Sequence, residues 1–244
     1  MSKLIGEISV FFPAFNEEGN IEKTVRTAKD VLLKVAGGWE IIVVDDGSKD
    51  RTREIAEKLA QNINRKLPQG CEIKVISQEN KGYGGAVTTG FYNSKYEWIA
   101  FTDSDGQLDF SEISNFIAKQ KERNADVVIG YRIDRSDPMI RKVFGWGWTL
   151  LANVFFGIGV RDVDCAFKLV RKEVIDKIPK LESMRGGMIS PELLAKAKKA
   201  HFKIVEVPVH HFPRGSGEQT GANIRVIFKS FMDLFKLWRK LNLG

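Results

Sequence analysis

Four apolar runs in the first half of this chain each discharge polar groups at their carboxyl ends, just before a stretch with helical spacing. Glu7 to Pro13 runs into Ala14-Phe-Asn16-Glu17-Glu18, and Glu40-Ile-Ile-Val-Val ends in Asp45-Asp46-Gly47-Ser48. Cys71 to Gln78 stops before Asn80-Lys-Gly82-Tyr-Gly-Gly85, and Trp98-Ile-Ala-Phe-Thr releases Asp103-Ser-Asp105-Gly106-Gln107. Strands that alternate with helices build a parallel sheet, and polar groups gathered on one edge place a ligand crevice there. The expected fold class is α/β: a Rossmann-like nucleotide-binding unit with a mostly parallel central sheet and helices on both faces.

The intervening stretches carry the matching period. Asn20 to Val35 sets Ile21, Val25, Ala28, Val31, Leu32 and Val35 on helical spacing, and Asp50 to Leu67, Gly82 to Ser94 and Ser111 to Glu122 follow the next three strands. Asp126 to Tyr131 reads as a fifth strand, Ala166 to Val170 and Lys203 to Pro208 as later ones, with a helix from Ser190 to Ala200 between them. At 244 residues and 43% hydrophobic, with no linker or internal repeat, the chain reads as one domain over residues 1–219 followed by an amphipathic basic helix over 220–244. Two cysteines, Cys71 and Cys165, give neither a disulfide framework nor a metal cluster, and the N-terminus lacks a long apolar signal region. A reducing cytoplasm is the expected setting.

Asp103 and Asp105 carry the most chemistry. Two carboxylates one residue apart, released by a strand into a Gly turn, suit a divalent cation that in turn grips a diphosphate. Read on to Glu112, the segment imitates half of a calcium EF-hand loop, but its first ligand position falls on Phe101, and a strand stands where a helix is required. An ordinary Asp/Gly surface turn is the plainer reading. A dinucleotide fold needs its Gly fingerprint at the first strand-helix turn, where Pro13-Ala-Phe-Asn16 has no glycine, and no Walker-type Gly-x-x-x-x-Gly-Lys occurs. The Gly-rich, Arg/Lys-bearing loop of a sugar-nucleotide pyrophosphorylase is absent from that turn too.

Together, Pro13-x-x-Asn16-Glu17, Asp45-Asp46-Gly47-Ser48-x-Asp50-x-Thr52, Asn80-x-Gly82-x-x-x-Ala86 and Asp103-x-Asp105-Gly106-Gln107 resemble the ordered signature of family 2 glycosyltransferases with the GT-A fold. Asp162-x-Asp164-Cys165-Ala166-Phe167-Lys168 and Glu206-Val-Pro-Val209 make the chain similar to dolichyl- and polyprenyl-phosphate mannosyl- and glucosyltransferases. The resemblance implies a nucleotide-sugar donor site bordered by Pro13, Asn16, Glu17, Asp45, Asp46 and Gly82, with Asp103 on the ribose side. It implies Asp105 and Gln107 as ligands of Mg2+ or Mn2+, hard cations that prefer such oxygens. Arg132 would meet the diphosphate or the acceptor phosphate, Arg141 would extend that anion site, and Arg214 would sit on a loop closing over the donor. Helix capping also accounts for Glu17 and Asp50, and a solvated basic face for Arg141 and Lys142. The chain departs from the family where Glu218-Gln219-Thr220 replaces the usual Ser-Lys.

Transfer to a sugar hydroxyl needs a general base. Family members that glycosylate hydroxyls supply an acidic pair where this chain has Met188-Ile-Ser190-Pro191-Glu192-Leu193, with Glu192 alone. Glu192 is thus the candidate catalytic base if the acceptor is a polysaccharide or soluble hydroxyl, and otherwise a first-turn helix charge. A phosphate acceptor is already anionic and needs no base. The missing acid therefore favours a polyprenyl or dolichyl phosphate acceptor, and the resemblance implies inverting, metal-dependent transfer to it from a GDP-mannose- or UDP-glucose-type donor, with Asp105 and Arg132 as the catalytic charges. His210 and His211 lack a third ligand and read as packing or loop hydrogen-bonding groups.

From Asn223 onward, Ile224, Ile227, Phe228, Phe231, Leu234, Phe235, Trp238 and Leu241 keep three-four spacing, and residues 220–244 hold five Lys/Arg against one Asp. This resembles an interfacial helix suited to an anionic cytoplasmic leaflet, with packing on its own domain as the alternative. The uncharged run 143–160, with four Gly, a Thr and an Asn, is a poor membrane span. A buried or surface-dipping helix hairpin is expected there, with Trp146 and Trp148 at the lipid boundary. A peripheral enzyme on the cytoplasmic face, alone or beside a membrane-embedded partner, follows. Nucleic acid is not an expected partner despite the net charge of +7, because no nucleic-acid module is present and the basic excess lies among apolar residues.

Overall fold

The computed structural model describes residues 3–134, 139–184, 187–213 and 224–243. β1 (Ile5–Ala14), α1 (Ile21–Val35), β2 (Ala36–Asp45), α2 (Thr52–Asn64), β3 (Cys71–Ser77), α3 (Tyr83–Tyr92) and β4 (Trp98–Phe101) alternate as the apolar periods predict. After them come α4 (Ile113–Arg123), β5 (Val127–Ile133), α5 (Met139–Phe156), β6 (Lys168–Arg171), α6 (Lys172–Lys177), α7 (Ile189–Lys199), β7 (Ile204–His210) and α8 (Ile224–Leu243). On α1, the predicted stripe of Ile21, Val25, Ala28, Leu32 and Val35 is buried.

The strands form one seven-stranded sheet in the order β3-β2-β1-β4-β6-β5-β7. All pairings are parallel except those of β6, which runs antiparallel to both β4 and β5. The chain steps outward from β1 to β2 and β3, then returns through α3 to β4 on the other side of β1. Right-handed crossovers in opposite directions put α1 and α2 on one face and α3 on the other. The reversal between β1 and β4 opens a crevice beyond their carboxyl ends.

Beneath that crevice the core is aromatic. Phe11 of β1 stacks on Phe101 of β4 with centroids 4.9 Å apart, and Phe91 of α3 meets them edge-on at 5.0 and 5.3 Å. Gly90 admits this packing, because a Cβ there would lie 2.3 Å from the Phe11 ring. The end of β4, two residues before Asp103, is thus set by ring contacts.

Two C-terminal expectations change. The run 143–160 is no hairpin: α5 starts upstream at Met139 and continues to Phe156 as one helix. It is closed by Gly157 and Gly159 at φ +62° and +76°, and by Asn153, whose Oδ1 accepts the Gly159 and Val160 amides at 3.0 and 3.1 Å. The interior glycines of α5 cost about 1 kcal/mol each in helix propensity, too little to break it against tertiary packing. In α8, Leu234 and Leu237 are buried in a cluster with Met188, Trp148, Leu151, Phe155, Phe156 and Leu241, and Trp238 meets Phe155 edge-on at 6.1 Å. Packing on the domain therefore occupies this half of the helix; the side chains of Ile224, Ile227, Phe228 and Phe231 lie outside the described residues.

Truncating Phe11 to Ala removes the shared ring and is expected to lower stability by about 3–5 kcal/mol. Gly90→Ala, which forces that ring aside, is expected to cost about 1–3 kcal/mol. Urea unfolding midpoints at constant slope measure both.

Candidate active site

Strand register brings the predicted polar turns together. Ala14 lies opposite Asp45, and Phe11 opposite Phe101, so the ends of β2, β1 and β4 emerge side by side. Asp46 N donates to Ala14 O at 2.9 Å, Ser104 Oγ to Pro13 O at 2.9 Å, and Thr24 Oγ1 to Ser104 O at 2.9 Å. The turn between Asp103 and Asp105 is thereby tied to the first strand and to α1.

The donor-side residues divide into two kinds. Asn16, at φ +56°, spends its Oδ1 on Lys49 N at 2.8 Å and takes Ser48 Oγ on its own amide. Glu17 accepts from Asn20 Nδ2 at 2.6 Å, and its amide donates to Thr52 Oγ1 at 2.7 Å. Asp50 binds Thr52 N and Glu18 N, the capping role considered for it. These groups weld the first turn to the second. Asp45, 2% exposed, accepts Ser48 N at 3.2 Å. The carboxylate of Asp46, expected beside the nucleoside, accepts Gln78 Nε2 at 2.6 Å, Lys81 N at 2.9 Å and Gly82 N at 2.8 Å. It folds the Gly82 turn, where φ is +85°.

Asp103 and Asp105 fit a hard cation. Oδ1 of Asp103 is buried without a hydrogen-bond partner, an arrangement that costs free energy unless a ligand completes it. Burial, and next the Asp105 carboxylate, push the Asp103 pKa up to about 6. The Tyr83 hydroxyl hydrogen-bonds Asp103, and burial holds that phenol well above its ordinary value. Gly106, at φ +73°, turns the chain so that Asp105 Oδ1 accepts Gln107 N at 3.0 Å. Gln107 Nε2 donates to Phe212 O at 3.2 Å, and its carbonyl oxygen is an atom that could hold a cation. Among the described residues no three His, Cys, Asp or Glu side chains cluster as a metal cage.

Across the crevice, Arg132 at the end of β5 forms a two-pronged pair with Asp162, Nε to Oδ2 at 2.7 Å and Nη2 to Oδ1 at 2.8 Å. Burial opposes the cation, but Asp162 outweighs it and holds Arg132 more firmly protonated than usual. Asp164 accepts the Trp148 indole N–H at 3.0 Å; burial and then Asp162 push it up to about 6. Lys168, fully buried on β6 opposite Phe101, donates to Cys165 O at 2.5 Å and Ser190 Oγ at 2.9 Å. Burial lowers its pKa while Asp164, Asp162 and Asp103 support its charge.

Glu192, the candidate base, lies in the first turn of α7 and is 1% exposed, and its carboxylate accepts Glu182 N, Ser183 N and Lys196 Nζ at 3.0, 2.8 and 2.5 Å. Its oxygens are thus taken up by donors of the protein itself. His210 binds Glu112 at 2.6 Å, a loop tie as expected, and its pKa is raised by that bond. Arg214 and the Arg141 side chain lie outside the described residues. Trp148, expected at the lipid boundary, instead turns inward to Asp164. Tyr83 and Ser190 escaped the reading of the sequence: a tyrosine in a Gly-rich turn and a serine at a helix start carry no motif of their own.

Residues 9–179 match the profile of glycosyl transferase family 2. The chain is 31% identical over 222 residues to dolichyl-phosphate beta-glucosyltransferase of Saccharomyces cerevisiae, covering 83% of this chain and 66% of that protein. It is 27% identical over 233 residues to dodecaprenyl-phosphate galacturonate synthase of Rhizobium johnstonii, covering 95% of this chain and 66% of that one. The chain thus spans about two thirds of the length of these relatives. Glucosyl-3-phosphoglycerate synthase from Mycobacterium tuberculosis, crystallised with Mn2+, UDP-glucose and phosphoglyceric acid, superposes with a TM-score of 0.71 at 16% identity, covering 96% of this chain and 80% of that one. The fold is therefore GT-A.

Asp46→Ala strands three donors and is expected to cost about 2–4 kcal/mol. Amide hydrogen exchange at Lys81 and Gly82 should accelerate in that variant; unchanged protection there would remove Asp46 as the anchor of the loop.

Proposed function

The chain belongs to glycosyl transferase family 2, and from that premise we propose that it moves a hexose from a nucleotide-sugar donor to a polyprenyl-type lipid phosphate, with inversion. The observation that carries the acceptor assignment is the state of Glu192: the acid available to the hydroxyl-acceptor reading is buried and fully engaged. A phosphate nucleophile needs no base. The names of the similar proteins, which specify dolichyl and dodecaprenyl phosphates, support the same class.

In this mechanism an acceptor phosphate oxygen attacks the anomeric carbon from the face opposite the donor diphosphate. The new C–O bond forms as the bond to the diphosphate breaks, and the nucleoside diphosphate leaves with the electron pair. Asp105 and Gln107 would hold Mg2+ or Mn2+, with Asp103 toward the ribose; when bound, such an ion offsets charge developing on the diphosphate. Arg132, kept cationic and oriented by Asp162, offers its remaining N–H groups to phosphate. Asp45 and the Gly82 turn border the nucleoside.

The lipid reading also has a surface. Met139, Val143, Trp146, Leu150 and Val154 recur every three or four residues along α5 and are all exposed, Trp146 by 67% and Val154 by 72%. The opposite side of the same helix carries Trp148, bonded to Asp164 in the site. Helices α5 and α8 together hold seven Lys/Arg and one Asp, leaving +6 of the chain's +7 there. No helix among the described residues is long and apolar enough to cross a membrane. The proposed attachment is peripheral: the α5 stripe dips into an anionic leaflet and a lipid phosphate reaches the site along that helix.

Incubating the protein with labelled UDP-glucose or GDP-mannose and a polyprenyl phosphate should give an anionic product that partitions into organic solvent. Asp105→Ala is expected to abolish metal-dependent transfer while leaving the unfolding curve close to wild type; full activity would exclude the metal role. Trp146→Glu with Leu150→Glu should cut sedimentation with phosphatidylserine-containing vesicles at least tenfold while sparing turnover of a short, water-soluble isoprenyl phosphate. Unchanged sedimentation would place the attachment elsewhere.

A further inference from the structure

Glu192 and Lys196 are both buried on α7 and touch nothing in the proposed reaction. An ion pair of this kind is a poor source of net stability, because desolvation offsets most of the attraction. What the pair does hold is backbone. Glu192 takes the amides of Glu182 and Ser183, and Lys196 donates to Lys180 O at 2.6 Å, so the extended segment 180–184 is clamped along one side.

The other side of that segment lies along α3. Met184 O accepts Gly85 N at 3.0 Å, and at the far end Leu181 N donates to Tyr92 Oη at 3.3 Å. Ser183 O sits so close to Gly84 that a Cβ there would fall 1.8 Å from it. The first residue of α3 is Tyr83, whose hydroxyl bonds Asp103. One continuous run of contacts therefore leads from α7, through a strap spanning both ends of α3, to a donor-site carboxylate.

Resting on the glycosyltransfer reading, we propose that Glu192 is a positioning residue: with Lys196 it seats the 180–184 strap on Gly84–Gly85, and so sets Tyr83 and the Asp103 carboxylate it holds. The first turn of α3 has little other means of fixing itself, since its opening residues Tyr83-Gly84-Gly85 include two of the weakest helix formers and no side chain caps it. The glycines are the condition for the strap's close approach. The strap supplies the order that they forgo.

The test pairs the charge-neutral variant Glu192→Gln/Lys196→Met, which leaves no unpaired buried charge, with Tyr83→Phe, which removes only the far hydroxyl. Each is expected to lower kcat/KM for the donor roughly 10- to 100-fold, the usual scale for misplacing a reacting partner. Combined, they should lower it no further than the worse of the two, because both cut the same line of contacts. Hydrogen exchange at the Gly85 amide should quicken in the Glu192/Lys196 variant and stay at the wild-type rate in Tyr83→Phe. Multiplying losses, or a Gly85 amide as protected as in wild type, overturn the positioning role while leaving glycosyltransfer standing. A wild-type protein silent on every sugar nucleotide and lipid phosphate overturns the functional reading, and this role with it. Should the double variant fail to fold, Tyr83→Phe and Gly84→Ala, which lifts the strap directly, form the same cycle.

Discussion

Charge crowded at the end of a sheet has to be balanced, and the rest of this structure is arranged around that requirement. Asp105 acts on Asp103 and Asp162 on Asp164, and Arg132 and Lys168 are the cations that oppose both pairs. The balance is incomplete: Asp103 and Asp164 are both held near 6, and one buried oxygen of Asp103 has no partner. In the proposed reaction a further cation arriving with a polyanion, as a metal-bound sugar nucleotide, would complete that balance.

The cations are themselves costly to bury, and their placement explains several elements. Antiparallel β6 inserts between β4 and β5, which sets Lys168 beside Phe101 and brings the preceding segment, with Asp162 and Asp164, within reach of Arg132 on β5. A wholly parallel sheet would have begun β6, and with it the Asp162–Asp164 segment, on the opposite edge. Lys168 is then satisfied by Cys165 O and by Ser190 at the start of α7, so the same helix serves the site twice, through Ser190 and through Glu192.

Function is coupled to surface through α5. Its inner side supplies Trp148 to Asp164 and Thr149 Oγ1 to the Val163 amide, while its outer side remains apolar and exposed. In the proposed reaction this is what one helix must do if an acceptor is half phosphate and half hydrocarbon. Helix α8 packs onto α5 through Leu234 and Leu237, and Lys240 reaches Glu182 on the strap at 2.5 Å, so the C-terminal helix, the strap and the site form one connected body.

The amino-acid order by itself determined the alternation of strands and helices, the edge on which polar turns gather, and the cation-binding character of Asp103-Ser-Asp105. The first two features are local, because side-chain period and turn chemistry act within a few residues; a cation at Asp103-Ser-Asp105 belongs to the proposed reaction. Only the tertiary structure decided what each polar group spends its hydrogen bonds on. Asp45 and Asp46 are adjacent carboxylates in one motif, yet Asp46 folds a loop 35 residues away while Asp45 holds its own turn. Glu192 has the spacing of a base or a first-turn helix charge; it does sit in the first turn of α7, but two backbone amides from a distant strap and a lysine one turn along converge on its carboxylate, which no local pattern shows. The amphipathic C-terminal period is compatible with lipid and with protein, since both accept apolar surface without regard to sequence; packing geometry covers Leu234 and Leu237, while Met232 and Phe235 on α8 and the stripe on α5 stay exposed.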